Sequence, residues 1–205
     1  MPTEHYFSRS PQSEGGERTI EVTLRGHAFR FVTGAGVFSR EHVDRGTRLL
    51  IKHLAVGLTD QVLDLGCGWG AVGVVAARLA PEGRITLVDV NQRAVDLARR
   101  NLALNAVANA EVLQGDGFAP LPGRRFDVIA LNPPIRAGLA RVHELIEGAR
   151  LHLAPGGRFY LVARTQQGAL RLAEKVAEVF ETVEVVAKGG GYRLFATGIP
   201  SSEKG

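Results

Sequence analysis

The sequence has little that would hold it together by covalent bonds or anchor it in a membrane. Only one residue of 205, Cys67, is a cysteine, which excludes an intrachain disulfide and a cysteine-based metal cluster. No apolar run approaches the ~18 residues that cross a bilayer. The opening residues, MPTEHYFSRSP, lack the apolar stretch of a signal peptide. We therefore expect a cytoplasmic protein without a membrane segment.

Positive and negative charges balance over most of the chain, but one sector has a net positive charge. Residues 116–171 contain eight arginines and four acidic residues, whereas the rest of the chain has 17 basic and 17 acidic residues. A polyanion such as RNA would select a basic sector, although a solvated arginine-rich surface explains it equally well. The length and the 45% hydrophobic content suit one domain with a substantial core.

Short β-forming runs alternate with helical periodicity along most of the chain. Strands are expected at 62–65, 84–89, 110–113, 126–131 and 158–163, and helices at about 44–56, 71–79, 91–102, 139–153 and 168–180. This alternation predicts an α/β fold with a doubly wound, mostly parallel, seven-stranded sheet. Two final β runs, 183–187 and 192–199, are joined by Lys-Gly-Gly-Gly, which is too short for a helical crossover. The last strand is therefore predicted to be antiparallel.

The first 35 residues do not follow this alternation. Residues 1–16 are polar and rich in serine, proline and glycine, and we interpret them as a tether. Two β-forming runs, 19–24 and 28–32, flank Arg25-Gly26 and predict a β-hairpin within 17–35. The α/β domain would then occupy 36–200.

A glycine-rich turn stands at the centre of the sequence, in VLDLGCGWGAVG at 62–73. Gly66, Gly68 and Gly70 follow a buried strand and precede a helix. Glycine adopts backbone angles that a side chain forbids and lets a ligand lie against the backbone, while the helix N-terminus points at that ligand. The turn predicts a nucleotide-sized cofactor. Because Gly66, Gly68 and Ala71 also match the dinucleotide fingerprint, the turn alone does not choose the cofactor.

Four predicted strands are followed by residues that could contact a ligand. These residues are Gly66, Asp89, Asp116 and Asn132. The carboxyl ends of parallel strands meet at one edge of the sheet, so these residues should share a crevice. Asp89 is placed to accept hydrogen bonds from ribose hydroxyls, with a turn or capping role as the alternative. Asp116 is placed to accept from an adenine amino group, with Phe118 as apolar cover, or else forms a plain Asp-Gly turn.

The stretch Asn132-Pro133-Pro134-Ile135 favours one reaction class. The asparagine side-chain carbonyl and the Pro133 backbone carbonyl can face one point, while the prolines stiffen the turn. Two acceptors at that point would hold an NH2 group and direct its lone pair at an electrophile, an arrangement for which hydride transfer has no use. The motif therefore predicts methyl transfer to a nitrogen, with a simple loop opening as the alternative.

These motifs also carry a resemblance to a known family. DLGCGWG at 64–70, LVD at 87–89, GDGF at 115–118 and NPPI at 132–135 resemble, in this order, the class I S-adenosylmethionine-dependent methyltransferases with a Rossmann-like fold. GVFS at 36–39, HVDRGTRLL at 42–50 and NPPIRAG at 132–138 are similar to the methyltransferase small domain family. That family includes the small-subunit ribosomal RNA guanine-N2 methyltransferases of the C type and shorter single-domain relatives.

The resemblance implies S-adenosylmethionine as cofactor, no metal, and ribosomal RNA or a ribosomal subunit as partner. It implies that Asn132 and Pro133 receive the target amine. The implied cofactor-binding residues are Asp64, Gly66, Gly68, Gly70, Asp89, Asp116, Gly117 and Phe118, and the implied substrate-binding residues are Phe38, Pro134, Ile135 and Arg136, with Ser39 closing the site beside Phe38.

Two departures from the family keep the substrate open. Many relatives carry an aromatic residue where this chain has Ile135, and the longer relatives have a further N-terminal domain. Phe38 is a candidate to stack on the target base instead, and Arg136 and Arg141 are candidates for phosphate contacts. A protein glutamine amide, adenine N6, an NAD-dependent oxidoreductase and a binding-only protein remain as alternatives.

Overall fold

The computed structural model describes residues 16–37, 39 and 41–198, and within them two sheets. A two-stranded hairpin precedes a seven-stranded sheet that is flanked by helices. The strands are β1 Arg18–Leu24, β2 His27–Thr33, β3 Gln61–Leu65, β4 Arg84–Asp89, β5 Ala110–Gln114, β6 Phe126–Leu131, β7 Leu153–Arg164, β8 Glu184–Gly189 and β9 Tyr192–Gly198. The helices are α1 Arg45–His53, α2 Ala71–Leu79, α3 Gln92–Leu104, α4 Leu139–His152 and α5 Ala169–Phe180, with short 3-10 turns at Ile135–Ala137 and Thr165–Gln167.

The order of the large sheet is β5-β4-β3-β6-β7-β9-β8. Neighbouring strands from β5 to β7 are parallel, and β9 is antiparallel to both β7 and β8. This confirms the predicted doubly wound sheet with an antiparallel last strand. The chain moves outwards from β3 to one edge and then resumes at β6 on the other side, so the order reverses between β3 and β6. In sheets of this kind, ligands bind at that reversal.

Helices cover both faces of the sheet, as a mostly parallel sheet requires. The core on one face contains residues of α1, α2 and α3, for example Leu50, Val74 and Ala98. The core on the other face contains residues of α4 and α5, for example Ile146 and Leu172. The strands supply both cores because their side chains alternate between the faces.

The end of α4 differs from the sequence prediction. The helix stops at His152, and β7 begins at Leu153, although the strand was expected from residue 158. Leu153 pairs with Phe126, and after an irregularity Arg158 pairs with Val128. Proline cannot continue a helix, and the segment around Pro155 instead follows the extended path that brings Leu153 beside β6. The sequence prediction missed this early start because the helical periodicity continues up to residue 153.

The predicted hairpin is present as β1 and β2, and it packs into the core through Leu24, Phe29 and Phe31. The proposed tether lies almost entirely outside the described residues, and the division of the chain into three parts stays a prediction. Within the part of the chain that the structure describes, none of the helices is both long enough and apolar enough to span a membrane.

Two asparagines, Asn101 in α3 and Asn105 at its C-cap, bond the backbone of β2 as a neighbouring strand would. Asn101 Oδ1 accepts from Val32 N at 2.7 Å, and its Nδ2 donates to Val32 O at 2.9 Å. One helical turn later, Asn105 bonds the backbone N and O of Arg30 in the same way. Asn101 Nδ2 also donates to the Trp69 carbonyl at 2.8 Å. The buried Asn101 therefore ties the hairpin to the glycine-rich turn.

We predict that Asn101→Ala lowers the free energy of unfolding by about 2–4 kcal/mol, because three backbone groups lose their partner in a buried place. The matched variant Asn105→Ala should cost about 1 kcal/mol or less, since the groups around Arg30 are exposed to water. Urea unfolding of both variants measures the difference. An equal loss of unfolding free energy in both variants would show that the hydrogen bonds of Asn101 contribute no more than those of Asn105.

Candidate active site

The carboxyl ends of β3, β4, β6 and β7 open into one cavity of about 700 Å³. Gly66, Asp89, Asp116 and Asn132 all line it, although they are far apart in the sequence. The volume lies within the range of ordinary small-molecule and cofactor sites. The structure thus brings together the four strand ends that the sequence analysis singled out.

The glycine-rich turn forms the floor of this cavity, with Gly66 and Gly68 in its lining. Gly66, Gly68 and Gly70 have φ values of +70°, +55° and +89°, a left-handed conformation that other residues rarely adopt. The backbone N–H groups of Gly66 and Cys67 donate to the Val88 carbonyl at 2.8 and 3.0 Å. The helix α2 then begins with no side-chain cap. A ligand can therefore lie directly against the backbone here.

Two buried carboxylates lie beneath the turn. Asp64, only 4% exposed, accepts from Gly73 N at 2.8 Å. Burial raises the pKa of Asp64 to about 7; the hydrogen bond from Gly73 lowers it, and the neighbouring Asp89 adds to the rise. A cationic ligand at this end of the cavity would favour the ionised form of Asp64. The negatively charged pyrophosphate of a dinucleotide would be repelled by ionised carboxylates here.

Asp89 makes the turn and capping contacts that were the structural alternative for it, and it also faces the cavity. Its Oδ2 accepts from Gly68 N at 2.8 Å, and its Oδ1 accepts from Asn91 N at 2.9 Å. These bonds fix the turn and the start of α3, which is the structural alternative. Asp89 also lines the cavity. Each carboxylate oxygen has more than one acceptor site, so bonds to a ligand remain chemically possible.

At the far end of the cavity, Arg141 is not free to contact phosphates as expected. Asp116 and Gly117 line it, but Asp116 forms an ion pair with Arg141. Arg141 also pairs with Glu144 at 2.6 Å. The arginine expected to contact phosphates is therefore engaged by two carboxylates of its own chain.

Phe118 lies outside the cavity lining. Its ring stacks on His152 with centroids 4.4 Å apart, and a Cβ at Gly148 would come within 2.5 Å of it. The small size of Gly148 lets the ring lie against α4. This position does not support the expected adenine cover, and the apolar residues that do line the cavity include Val90 and Leu145.

Asn132 is held from outside the sheet by α1. Its Nδ2 donates to Thr47 Oγ1 at 3.0 Å and to Asp44 Oδ2 at 3.5 Å. Its Oδ1 accepts from none of the described residues. The only buried side-chain polar atom without a partner among them is His143 Nε2, so Asn132 Oδ1 is accessible. The carbonyl of this amide is thus the end that remains available to a ligand.

The rest of the NPPI stretch leads into the 3-10 turn Ile135–Ala137 beside the cavity. Pro133, Pro134, Ile135 and Arg136 all line the cavity. The Pro133 carbonyl, expected to face the target amine, accepts from Ile135 N at 2.9 Å. A carbonyl oxygen has two lone pairs, so one acceptor site of Pro133 is left.

Tyr192 is a lining residue that the sequence analysis missed. It begins β9, and a Cβ at Gly46 would come within 2.7 Å of its ring. Burial and the charge of Asp44 raise the pKa of Tyr192, while Arg164 and Arg45 oppose the rise. An antiparallel strand starts at the edge where its parallel neighbours end, so the predicted direction of β9 was a usable signal. Phe38, the expected stacking residue, falls outside the described residues, whereas Ser39 lines the cavity.

Comparison with known proteins identifies the class of this site. The family profile of the methyltransferase small domain matches residues 28–196. The chain belongs to the methyltransferase small domain family. A Bacillus subtilis relative, the uncharacterized protein YbxB, is 38% identical to this methyltransferase over 194 residues, covering 94% of this chain and 96% of the relative.

Larger relatives carry more informative names. The Escherichia coli ribosomal RNA small subunit methyltransferase C is 38% identical over 197 residues, covering 93% of this chain and 55% of the relative. The structure of the T. thermophilus 16S rRNA N2 G1207 methyltransferase (RsmC) in complex with AdoMet and guanosine superposes with a TM-score of 0.80 at 28% identity, covering 89% of this chain and 50% of the other. This methyltransferase spans about half the length of these two relatives.

We predict that Asp64 makes the stability of the ligand-free methyltransferase fall as pH rises. The folded protein holds the proton up to a pKa of about 7, whereas the ordinary value is 3.8, so between these values the folded state binds more protons than the unfolded state. The stabilisation is complete below the lower pKa and is lost above the higher one. Asp64→Asn removes this dependence and still offers an oxygen to Gly73.

The measurement is the free energy of unfolding at several values from about pH 4 to 8. As the pH rises across this window, the free energy of unfolding of Asp64→Asn should increase by a few kcal/mol relative to that of the wild-type protein. Asp96→Asn is the matched control, because its carboxylate is 57% exposed. Curves for Asp64→Asn and wild type that stay parallel would contradict the buried-carboxylate assignment.

Proposed function

We propose that this methyltransferase transfers a methyl group from S-adenosylmethionine to the exocyclic N2 amine of a guanine in ribosomal RNA. The observation that carries the proposal is the orientation of Asn132, whose carbonyl oxygen is available in the cavity floored by the glycine-rich turn. The names of the Escherichia coli and T. thermophilus relatives support the substrate class.

The residues around the cavity fit this cofactor. Asp64 and the glycines of the turn would hold the methionine part, whose positive groups would favour the ionised form of the Asp64 carboxylate. Asp89 would accept from the ribose hydroxyls, and Asp116 with Gly117 would receive the adenine. Val90 and Leu145 would cover the adenine ring in place of Phe118. When bound, the cofactor supplies an electrophilic methyl group on a positively charged sulfur.

The protein orients the amine rather than deprotonating it. Asn132 Oδ1 would accept one hydrogen of the NH2 group, and the remaining acceptor site of Pro133 would take the other. Both bonds direct the nitrogen lone pair, which is otherwise delocalised into the ring. Such orientation can supply several of the ~7–11 kcal/mol available from alignment of reactants. The proton then leaves to water from the methylated, more acidic nitrogen.

The surroundings of Asn132 favour RNA over a protein amide. Arg136 and Arg164 line the cavity, and neither has an ion-pair partner among residues 16–37, 39 and 41–198. Unpaired guanidinium groups beside a reactive amide suit the phosphates next to a target base. Tyr192 places an aromatic ring in the cavity that Asn132 also lines, and this ring could replace the aromatic residue that is missing at Ile135. We assign it the role of base stacking.

The first test measures transfer of labelled methyl to 16S rRNA, small ribosomal subunits and peptide release factors in parallel. We predict label on RNA or subunits. Asn132→Ala should lower the rate about 10²–10³-fold, as the loss of one preorganised group does in other enzymes. Its affinity for S-adenosylmethionine should stay close to that of the wild-type protein. Asn105→Ala, the same substitution on the outside of α3, is the matched control and should remain active.

Label only on the release factors would show that the substrate is a glutamine amide and not RNA. An active Asn132→Ala variant would overturn the mechanism. Salt gives an independent check, because the affinity for RNA should fall linearly with salt on a double logarithmic plot. An amide in a protein partner predicts a much weaker dependence.

The second test concerns Tyr192. We predict that Tyr192→Ala raises the KM for RNA about 10-fold, since stacking of one base on an aromatic side chain is worth ~1–3 kcal/mol. Tyr192→Phe keeps the ring and should behave as the wild-type protein, and both variants should bind S-adenosylmethionine normally. An unchanged KM in Tyr192→Ala would remove the stacking role, and an equal loss in Tyr192→Phe would transfer that role to the hydroxyl.

A further inference from the structure

A chain of hydrogen bonds joins α1 to Asn132. The Thr47 hydroxyl donates to Asp44 Oδ2, and Asn132 Nδ2 donates to Thr47 Oγ1 at 3.0 Å and to Asp44 Oδ2 at 3.5 Å. Asp44 and Thr47 are only 8% and 9% exposed. This group of three residues is defined here as the amide lock.

The carboxylate of Asp44 sets the direction of the hydrogen bonds in the amide lock. A carboxylate only accepts hydrogen bonds, so the Thr47 hydroxyl must donate its proton towards Asp44. The hydroxyl oxygen then has only lone pairs left for Asn132. The asparagine must therefore present its NH2 to the lock and its carbonyl oxygen to the cavity. The opposite orientation would set the Asn132 carbonyl oxygen against two other acceptors, Thr47 Oγ1 and Asp44 Oδ2.

This constraint matters because the two ends of an amide group have nearly the same shape. Packing alone distinguishes them poorly, and a rotation of the Asn132 amide by half a turn would leave its volume unchanged. That rotation would present a donor to the substrate NH2 group, which is itself a donor. The reaction needs the acceptor, and only hydrogen-bond partners can select it.

We propose that Asp44 and Thr47 are positioning residues that fix the amide of Asn132 in the orientation that accepts a substrate N–H. The inference rests on the proposed N-methyl transfer. Neither residue needs to touch the substrate for this. The Thr47 hydroxyl is the critical group, because it has the shorter contact with Asn132.

The lock is separable from the capping of α1. Asp44 caps the helix through its other oxygen, Oδ1, which accepts from Gly46 N at 2.8 Å and Thr47 N at 3.2 Å. Replacing Asp44 would disturb both functions. Thr47→Val removes the hydroxyl, keeps the β-branched shape and keeps the backbone N–H that Asp44 caps. Thr47→Ser keeps the hydroxyl and loses a methyl group.

The kinetic test compares these variants in single-turnover methylation of 16S rRNA or small ribosomal subunits. Thr47→Val should lower the rate about 10–100-fold at saturating RNA, while the Kd for S-adenosylmethionine stays within about twofold. Thr47→Ser should restore the rate to within about threefold. Thr197→Val is the matched control, since Thr197 is 7% exposed and bonds the Thr182 carbonyl at 2.6 Å in another part of the fold. It should keep the wild-type rate.

A second measurement needs no substrate. The side-chain NH2 of Asn132, assigned by the loss of its NMR signal in Asn132→Ala, should exchange slowly with solvent in the wild-type protein. Thr47→Val should accelerate the exchange about 10-fold or more, and Thr197→Val should not. Protected amide protons in a protein that methylates no RNA would support the lock and overturn only the proposed substrate. A wild-type methylation rate or unchanged amide exchange in Thr47→Val would overturn the lock.

Discussion

The reversal of strand order between β3 and β6 is the constraint on which the site depends. Connections leave these two neighbours towards opposite edges of the sheet, so their carboxyl ends stay uncovered side by side. The glycine-rich turn follows one strand and Asn132 follows the other. Under the proposed function, a cofactor on the turn and an amine on the asparagine would therefore meet at one place. The remaining elements supply charge, cover and orientation around that place.

Charge divides the cavity into two regions with different partners. Asp64 and Asp89 are buried beneath the turn, where negative charge favours a cationic donor of methyl groups. Arg136 and Arg164 line the cavity without ion-pair partners among the described residues, and they suit a polyanion. Arg141, in contrast, is neutralised by Asp116 and Glu144. Under the proposed function, these separate regions would let one site take a sulfonium compound and RNA.

Segments that precede the α/β repeat complete both halves of the site. Asn101 connects β2 to the Trp69 carbonyl, and so the hairpin supports the glycine-rich turn. Thr47 on α1 bonds Asn132 and sets which end of its amide faces the cavity. These contacts give the N-terminal hairpin and α1 a part in building the site. Each contact acts through a side-chain amide, that of Asn101 or that of Asn132, whose loss would leave polar groups unpaired.

The sequence by itself determined the sheet, the glycine-rich turn and the four strand ends, because glycine, proline and β-branched runs act on the nearby backbone. It also determined that β9 is antiparallel, since its linker is too short for a crossover. Only the tertiary structure decided that Phe118 lies against α4, that Tyr192 lines the cavity and that Thr47 holds Asn132. The physical reason is that side-chain direction and hydrogen-bond partners depend on elements distant in sequence, which no local pattern records.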